Sequence, residues 1–247
     1  MPSKARQQLR AAQAAKAARQ RLFRIIGVAV ALVVVLGIIL AAVLYFNQTP
    51  ATSGTPTTSG TPATSAKAIV VNPGKAPASA PLVEVFFDYQ CPICHVVETS
   101  FGPEFEKLAD AGTIQLQYRT MTFLDQNLRN DSSTRAAVAA ACADTVGVYS
   151  AYHDQIFANQ PAREGDGYPD TLFTQTIPAT IGLSGDKLTT FQQCYAQKST
   201  ATLVKQIAEQ ALRDGVTGTP TVRVNGKKME LPADPSTLGA AITQAAK

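Results

Sequence analysis

No acidic residue occurs before Glu84 in this 247-residue chain. Seven basic residues (Lys4, Arg6, Arg10, Lys16, Arg19, Arg21 and Arg24) therefore stand unopposed at the N-terminus. From Lys67 onward, 15 of the 22 basic residues meet all 18 acidic ones, a net charge of −3 against +4 for the whole chain. That balance argues against nucleic acid as a partner, because phosphate binding needs a basic surface and here the basic excess belongs to the tail alone. The sequence also lacks a glycine-rich phosphate loop and a Ser/His/Asp arrangement. Histidines number two, His95 and His153, and cysteines four. A zinc site needs a second close ligand pair, whereas Cys142, His153 and Cys194 are scattered, so no metal is expected.

Charge is missing altogether from residues 25–46, a 22-residue run rich in Val, Leu, Ile and Ala. At 1.5 Å per residue it reaches roughly 33 Å, about the thickness of a bilayer's hydrocarbon core. A cleavable signal peptide has a shorter apolar core, of about 7–15 residues; a long signal peptide cleaved near Ala63 or Ala66 is the alternative. The basic flank before the run and Tyr45-Phe46 at its far edge predict a single-pass transmembrane helix with a cytoplasmic N-terminus. Four domains follow: a basic cytoplasmic tail over 1–24, the transmembrane helix over 25–46, a linker over 47–66 and a globular domain over 67–247. In the linker Thr52-Ser-Gly-Thr-Pro56 returns as Thr58-Ser-Gly-Thr-Pro62. A segment of this composition has no apolar side chains to offset chain entropy and reads as a disordered stalk. The globular domain is thus expected outside the cell membrane, where disulfides persist.

The chemistry centres on Cys91-Pro92-Ile93-Cys94. It follows an apolar strand pattern (Val83, Val85, Phe86, Phe87) and precedes helical periodicity, so Cys91 falls at the N-cap and Pro92 at the first helical position. Unpaired N–H groups and the positive end of the helix dipole favour a thiolate there. A thiolate of low pKa is both nucleophile and leaving group, as disulfide exchange requires. With His95 the motif also matches c-type haem attachment, for which Met121 and Met229 are the downstream thioethers. His95 otherwise reads as a surface helix residue, or as a modest electrostatic influence on Cys91. Cys142 and Cys194, 52 positions apart, are read as a structural disulfide closing a loop worth about 4 kcal/mol in the chain-entropy model. Two buried free thiols are the alternative.

The element order supports one α/β domain. Strands are expected over 68–71 and 82–87, a helix over 91–111 with a kink or break at Gly102-Pro103, and a strand over 114–119. A strand–helix–strand order implies parallel pairing. A helical insertion fills about 125–214, with helices over 132–146, 149–158, 188–200 and 202–212. Strands return over 221–224 and 228–231 around an Asn225-Gly226 turn, and a helix over 235–246 closes the chain behind Asp234.

This order, together with Cys91-Pro-Ile-Cys94 and Val216-Thr-Gly-Thr-Pro-Thr-Val222, resembles the DsbA-like thiol:disulfide oxidoreductases of the thioredoxin superfamily, in a membrane-anchored form. The resemblance spans about 67–247 and implies a thioredoxin-like fold with an inserted helical domain. It assigns Cys91 as the exposed nucleophile and Cys94 as its buried partner, with Pro92, Ile93 and His95 as active-site neighbours. It makes Pro220 a cis-proline whose neighbour Thr219 pairs with an extended substrate. It implies no cofactor beyond the redox-active Cys91–Cys94 pair, reduced unfolded translocated proteins as substrates, and a quinone-linked membrane reoxidant of the DsbB or VKOR type. Oxidase activity is the expected direction; a reductase or isomerase, for example in cytochrome c maturation, and a non-enzymatic binding module are the alternatives. Two departures bear on chemistry. The family's buried acid, six positions before the first cysteine, is Val85 here, with Glu84 pointing to the other face. Ile93 replaces the histidine of the strongest oxidants, so a less extreme thiolate is expected.

Overall fold

Apolar alternation and helix stop signals set the order of elements, and the computed structural model describes them over residues 68–247. The basic tail, the apolar run, the linker and Lys67 lie outside the described residues. Among the described residues, no helix is long and apolar enough to cross a membrane. Strands β1 (Ile69–Val71) and β2 (Leu82–Phe87) lead into helix α1 (Pro92–Asp110), then β3 (Gln115–Thr120). Between β3 and the next strand every element is helical: α2 (Phe123–Leu128), α3 (Ser132–Thr145), α4 (Tyr149–Ala158), a π-helical stretch (Leu172–Thr176) running into α5 (Ile177–Thr180), α6 (Gly185–Ala196) and α7 (Ala201–Arg213). Strands β4 (Thr221–Val224) and β5 (Lys227–Met229), a 3₁₀ turn (Pro235–Thr237) and α8 (Leu238–Ala245) end the chain.

The five strands form one mixed sheet in the order β1-β3-β2-β4-β5. β2 runs parallel to β3, with Val85 opposite Tyr118, and antiparallel to β4, with Val85 opposite Val222. β2 is therefore central, and its C-terminal end delivers the chain to the first cysteine. Strand alternation divides its side chains between two faces. Val83, Val85 and Phe87 join the main core with Phe101, Phe105 and Ala109 of α1. Phe86 enters a second cluster with Met121, Ala211 and Val216.

Glu84 lies on the Phe86 face, where it is buried against Arg119, with Oε1 2.5 Å from Nη2. Arg119 also lies 3.8 Å from Asp214 and over the Phe86 ring. Glu84 is thus committed to an ion pair on the sheet face away from α1.

Several boundaries differ from the sequence expectation for local reasons. Helix α1 is continuous through Gly102-Pro103 rather than broken. Pro103 removes one N–H, but Thr99, whose carbonyl loses that donor, lies on the exposed side where water can replace it. Gly112 at φ 68 then ends the helix with paired bonds from its own N–H to Ala109 O and from Thr113 N–H to Leu108 O. Helix α6 ends early because Lys198, not a glycine, takes the left-handed conformation at φ 52. Its follower Ser199 donates to Cys194 O at 3.0 Å. Asn225 and Gly226, at φ 50 and 79, form the tight turn that puts Lys227 directly opposite Val224, so β5 starts one residue early. Asp234 caps a 3₁₀ turn rather than the final helix itself, accepting from Ser236 N–H at 2.9 Å.

Candidate active site

Cys91 stands where β2 has ended and α1 begins. Its backbone is extended (φ −76°, ψ 118°), and its sulfur accepts from the Cys94 N–H at 3.4 Å, with Pro92 in the first turn. Both cysteines are free thiols. The Cys91 sulfur also lies 3.7 Å from Thr219 O, and the Thr219–Pro220 peptide bond is cis. Two loops far apart in sequence thus meet at one sulfur.

The expectation of an exposed Cys91 requires correction: it is 8% exposed, against 2% for Cys94. The Thr219 backbone approaches its sulfur, so a partner must reach Cys91 beside that loop. Exposure belongs instead to Ile93 and Val96, at 59% and 55%, which form an apolar rim on the first turns of α1. His95 is not a free surface residue. Its Nδ1 lies 2.8 Å from Phe157 O, and because a carbonyl only accepts, Nδ1 carries the proton. Met121 is fully buried in the second cluster with Phe86, whereas Met229 is buried in the main core that also holds Cys91 and Cys94.

The two thiols have opposite electrostatics. The Cys94 thiol donates a hydrogen bond that pulls the Cys91 pKa down from 9.0 to about 6, with further help from the Cys94 and Ile93 backbone and the Thr219 side chain, against an opposing effect of burial. Burial first, then the hydrogen bond to Cys91 and the Cys91 charge, push Cys94 far upward. The pair thus holds one thiolate and one thiol near neutrality. Ile93 supplies no charge to this arrangement; hydrogen bonds do.

Several residues that hold the site carry no sequence signal. Asp88 is buried just before the motif, and burial raises its carboxyl pKa to about 7. It accepts from Ser133 Oγ at 2.6 Å, Gln90 N–H at 3.0 Å and Leu124 N–H at 3.3 Å. Gln90 extends this network to Asp125, Asn130 and Ser133. Gln160 donates from Nε2 to Tyr89 O at 2.8 Å and Cys91 O at 3.1 Å, and the Tyr168 hydroxyl donates to Tyr89 O. The loop that follows α4 in the insertion therefore fixes the backbone of the active-site turn, while Ser133 of α3 holds Asp88. Polar residues in separate loops become partners only when the sheet and the insertion pack, so a linear reading passes over them.

Cys142 of α3 and Cys194 of α6 are joined by a disulfide, S–S 2.01 Å and Cα–Cα 5.8 Å. Neither is available to a metal, and the bridge ties two helices of the insertion.

Comparison with known proteins places these features among relatives. The family model described as Thioredoxin matches residues 73–244. Disulfide bond formation protein D of Bacillus subtilis is 24% identical over 162 residues, covering 65% of this chain and 70% of the relative. The crystal structure of reduced DsbA from Mycobacterium tuberculosis is similar with a TM-score of 0.59 at 27% identity, covering 72% of this chain and 92% of that one. MdbA, a thiol-disulfide oxidoreductase from Corynebacterium diphtheriae, shares the fold with a TM-score of 0.60 at 21% identity, over 73% of this chain and 90% of that one.

Proposed function

The chain belongs to the thioredoxin family and is a DsbA-like thiol:disulfide oxidoreductase, and on that premise we propose that it introduces disulfide bonds into translocated proteins through Cys91 and Cys94. The observation that carries this reading is the Cys91 sulfur, held at the start of α1 within reach of the Cys94 N–H and beside Thr219 O. In the oxidised form a substrate thiolate attacks the Cys91 sulfur, and the Cys91–Cys94 bond breaks with the electron pair leaving on Cys94. A second substrate thiolate then attacks the substrate sulfur of the mixed disulfide and expels Cys91 as its stable thiolate. The substrate loses two electrons, and the enzyme holds them as a dithiol.

Each sulfur suits its step. Cys91 leaves readily because its pKa is lowered to about 6. Part of the upward push on Cys94 comes from the Cys91 charge, which is absent in the mixed disulfide, so Cys94 is a better leaving group at that stage than in the dithiol. Ile93 and Val96 offer an apolar contact to an unfolded chain. The backbone of Thr219 beside the Cys91 sulfur can pair with an extended segment in β fashion.

Reoxidation would fall to a quinone-linked membrane protein of the DsbB or VKOR type, and no cofactor is needed beyond the cysteine pair. The uncharged run over 25–46 and its basic flank support a tether in the cell membrane with the domain outside. Membrane fractionation with added protease checks this: the domain is expected in the membrane fraction and cleaved without lysis. Recovery in the soluble cytoplasmic fraction would overturn the placement.

Equilibration with glutathione tests the direction of the reaction. The Cys91–Cys94 couple is expected to be more oxidising than thioredoxin, whose potential is about −270 mV. A value at or below that would turn the reading to a reductase. A lowered Cys91 pKa stabilises the reduced protein and so favours the oxidising direction.

A further inference from the structure

Away from the two thiols, α1 and α4 enclose a group of ligand-type side chains that disulfide exchange does not use. Glu98 lies two turns along α1 from Cys91, and His153 and Asp154 are consecutive on α4. One ligand atom from each of the three lies within 4.8 Å of the others. Two ligands on one tetrahedral zinc ion are about 3.4 Å apart, so a modest rotation of the exposed Asp154 carboxylate closes the set.

His153 is fully buried, yet its Nε2 has no hydrogen-bond partner among the described residues. Glu98 Oε1 is 3.2 Å from that nitrogen but out of line for a hydrogen bond. On the other side of the ring, Nδ1 lies 2.8 Å from the Tyr89 hydroxyl. With Nδ1–H donated to Tyr89, Nε2 presents its lone pair to the carboxylates. Glu98 has its own outer partner, because the Tyr118 hydroxyl donates to Oε1 at 3.0 Å. Metal-ligating imidazoles and carboxylates are oriented by outer hydrogen bonds of this kind. Gly102 completes the fit: a Cβ at that position would strike the Glu98 carboxylate, which folds back over it.

The space beside these groups is a cleft of about 290 Å³, lined by Glu98, Thr99, Pro103, Glu106 and Asp154. Glu106 adds a third carboxylate, and its Oε1 is also buried without a partner. Three carboxylates converging beside an unpartnered imidazole nitrogen repel one another unless a cation or protons lie between them. We propose that Glu98, His153 and Asp154 bind one divalent transition-metal ion of the zinc class, which joins α1 to α4 behind the redox pair. One nitrogen with carboxylate oxygens suits zinc better than calcium or magnesium, whose ligands are oxygen alone. The site is independent of the direction of disulfide exchange, and its ligands are not the reacting sulfurs.

Calorimetric titration of the oxidised full chain with zinc chloride tests the proposal, since the Cys91–Cys94 disulfide then removes the competing thiolates. One zinc ion is expected per chain, with calcium at least tenfold weaker. Asp154→Asn, a change on the exposed rim that spares the core, is expected to weaken zinc at least tenfold. His153→Gln is expected to abolish binding, with far-ultraviolet circular dichroism reporting whether it folds. No saturable zinc binding up to 1 mM (about the −4 kcal/mol limit of specific affinity), unchanged affinity in Asp154→Asn, or calcium binding as tightly as zinc would each overturn the assignment.

Discussion

Replacing Cys91 by serine is expected to reduce the oxidation of a reduced model protein by at least about 10³-fold, because it removes the one sulfur that sits at the helix start. Below about pH 6, where Cys91 is protonated, stability of the reduced form should change little, since serine is also a good N-cap and can accept from the Cys94 N–H. Thiolate absorbance in the reduced wild type should titrate near pH 6 and vanish in Cys91→Ser. Cys94→Ala keeps Cys91 but deletes the hydrogen bond that lowers its pKa most, so its titration should move upward. Persistent oxidation in Cys91→Ser would disprove the site assignment. A wild-type midpoint near 9 would remove its electrostatic basis.

The lowered pKa also sets the sign of a pH effect. Folded Cys91 ionises near 6, whereas the ordinary value is 9.0. Its contribution to the stability of the reduced form is therefore complete above about pH 9 and is lost as pH falls through about 6. The oxidised form has no thiol at this position, so the gap between reduced and oxidised stabilities should shift in favour of the reduced form as pH rises across that window.

Removing the disulfide in the double variant Cys142→Ser, Cys194→Ser is expected to cost about 4 kcal/mol, because the cross-link closes a 52-residue span of the unfolded chain. Urea unfolding of the wild type and the variant under non-reducing conditions measures it. The loss should appear as a lower midpoint, while the folded variant still exchanges disulfides, since neither cysteine belongs to the Cys91–Cys94 pair. Equal midpoints would show that the unfolded state gains no freedom from the change. Loss of exchange in the folded variant would show that the bridge also shapes the active-site turn, which Gln160 and Tyr168 of the insertion hold.

Much of this site is local and could be read along the chain. Cys91, Pro92, Ile93 and Cys94 are four neighbouring positions, and the helix start that activates them needs only the preceding strand and the following periodicity. β2 and α4 were legible because their apolar pattern is dense and their ends are marked. The end of α6 was not, because Lys198 adopts a conformation that glycine usually signals. Of the kink or break expected at Gly102-Pro103, the break does not occur, because solvent on one side of α1 substitutes for the missing donor.

What the sequence alone determines is the chemistry of the motif, the order strand–helix–strand, helices, hairpin and helix, and the separation of a basic, uncharged and low-complexity N-terminus from a slightly acidic body. These rest on contacts between near neighbours, where spacing translates directly into geometry. Tertiary structure alone decides which distant groups share a volume. It brings Thr219 to the Cys91 sulfur, turns Cys91 from exposed to nearly covered, and buries Asp88 among Ser133, Gln90 and Leu124. It also sets His153 against Glu98, 55 positions away. Burial is the physical reason: it strips water from polar groups and makes their partners decisive, and no linear spacing encodes how much water is left.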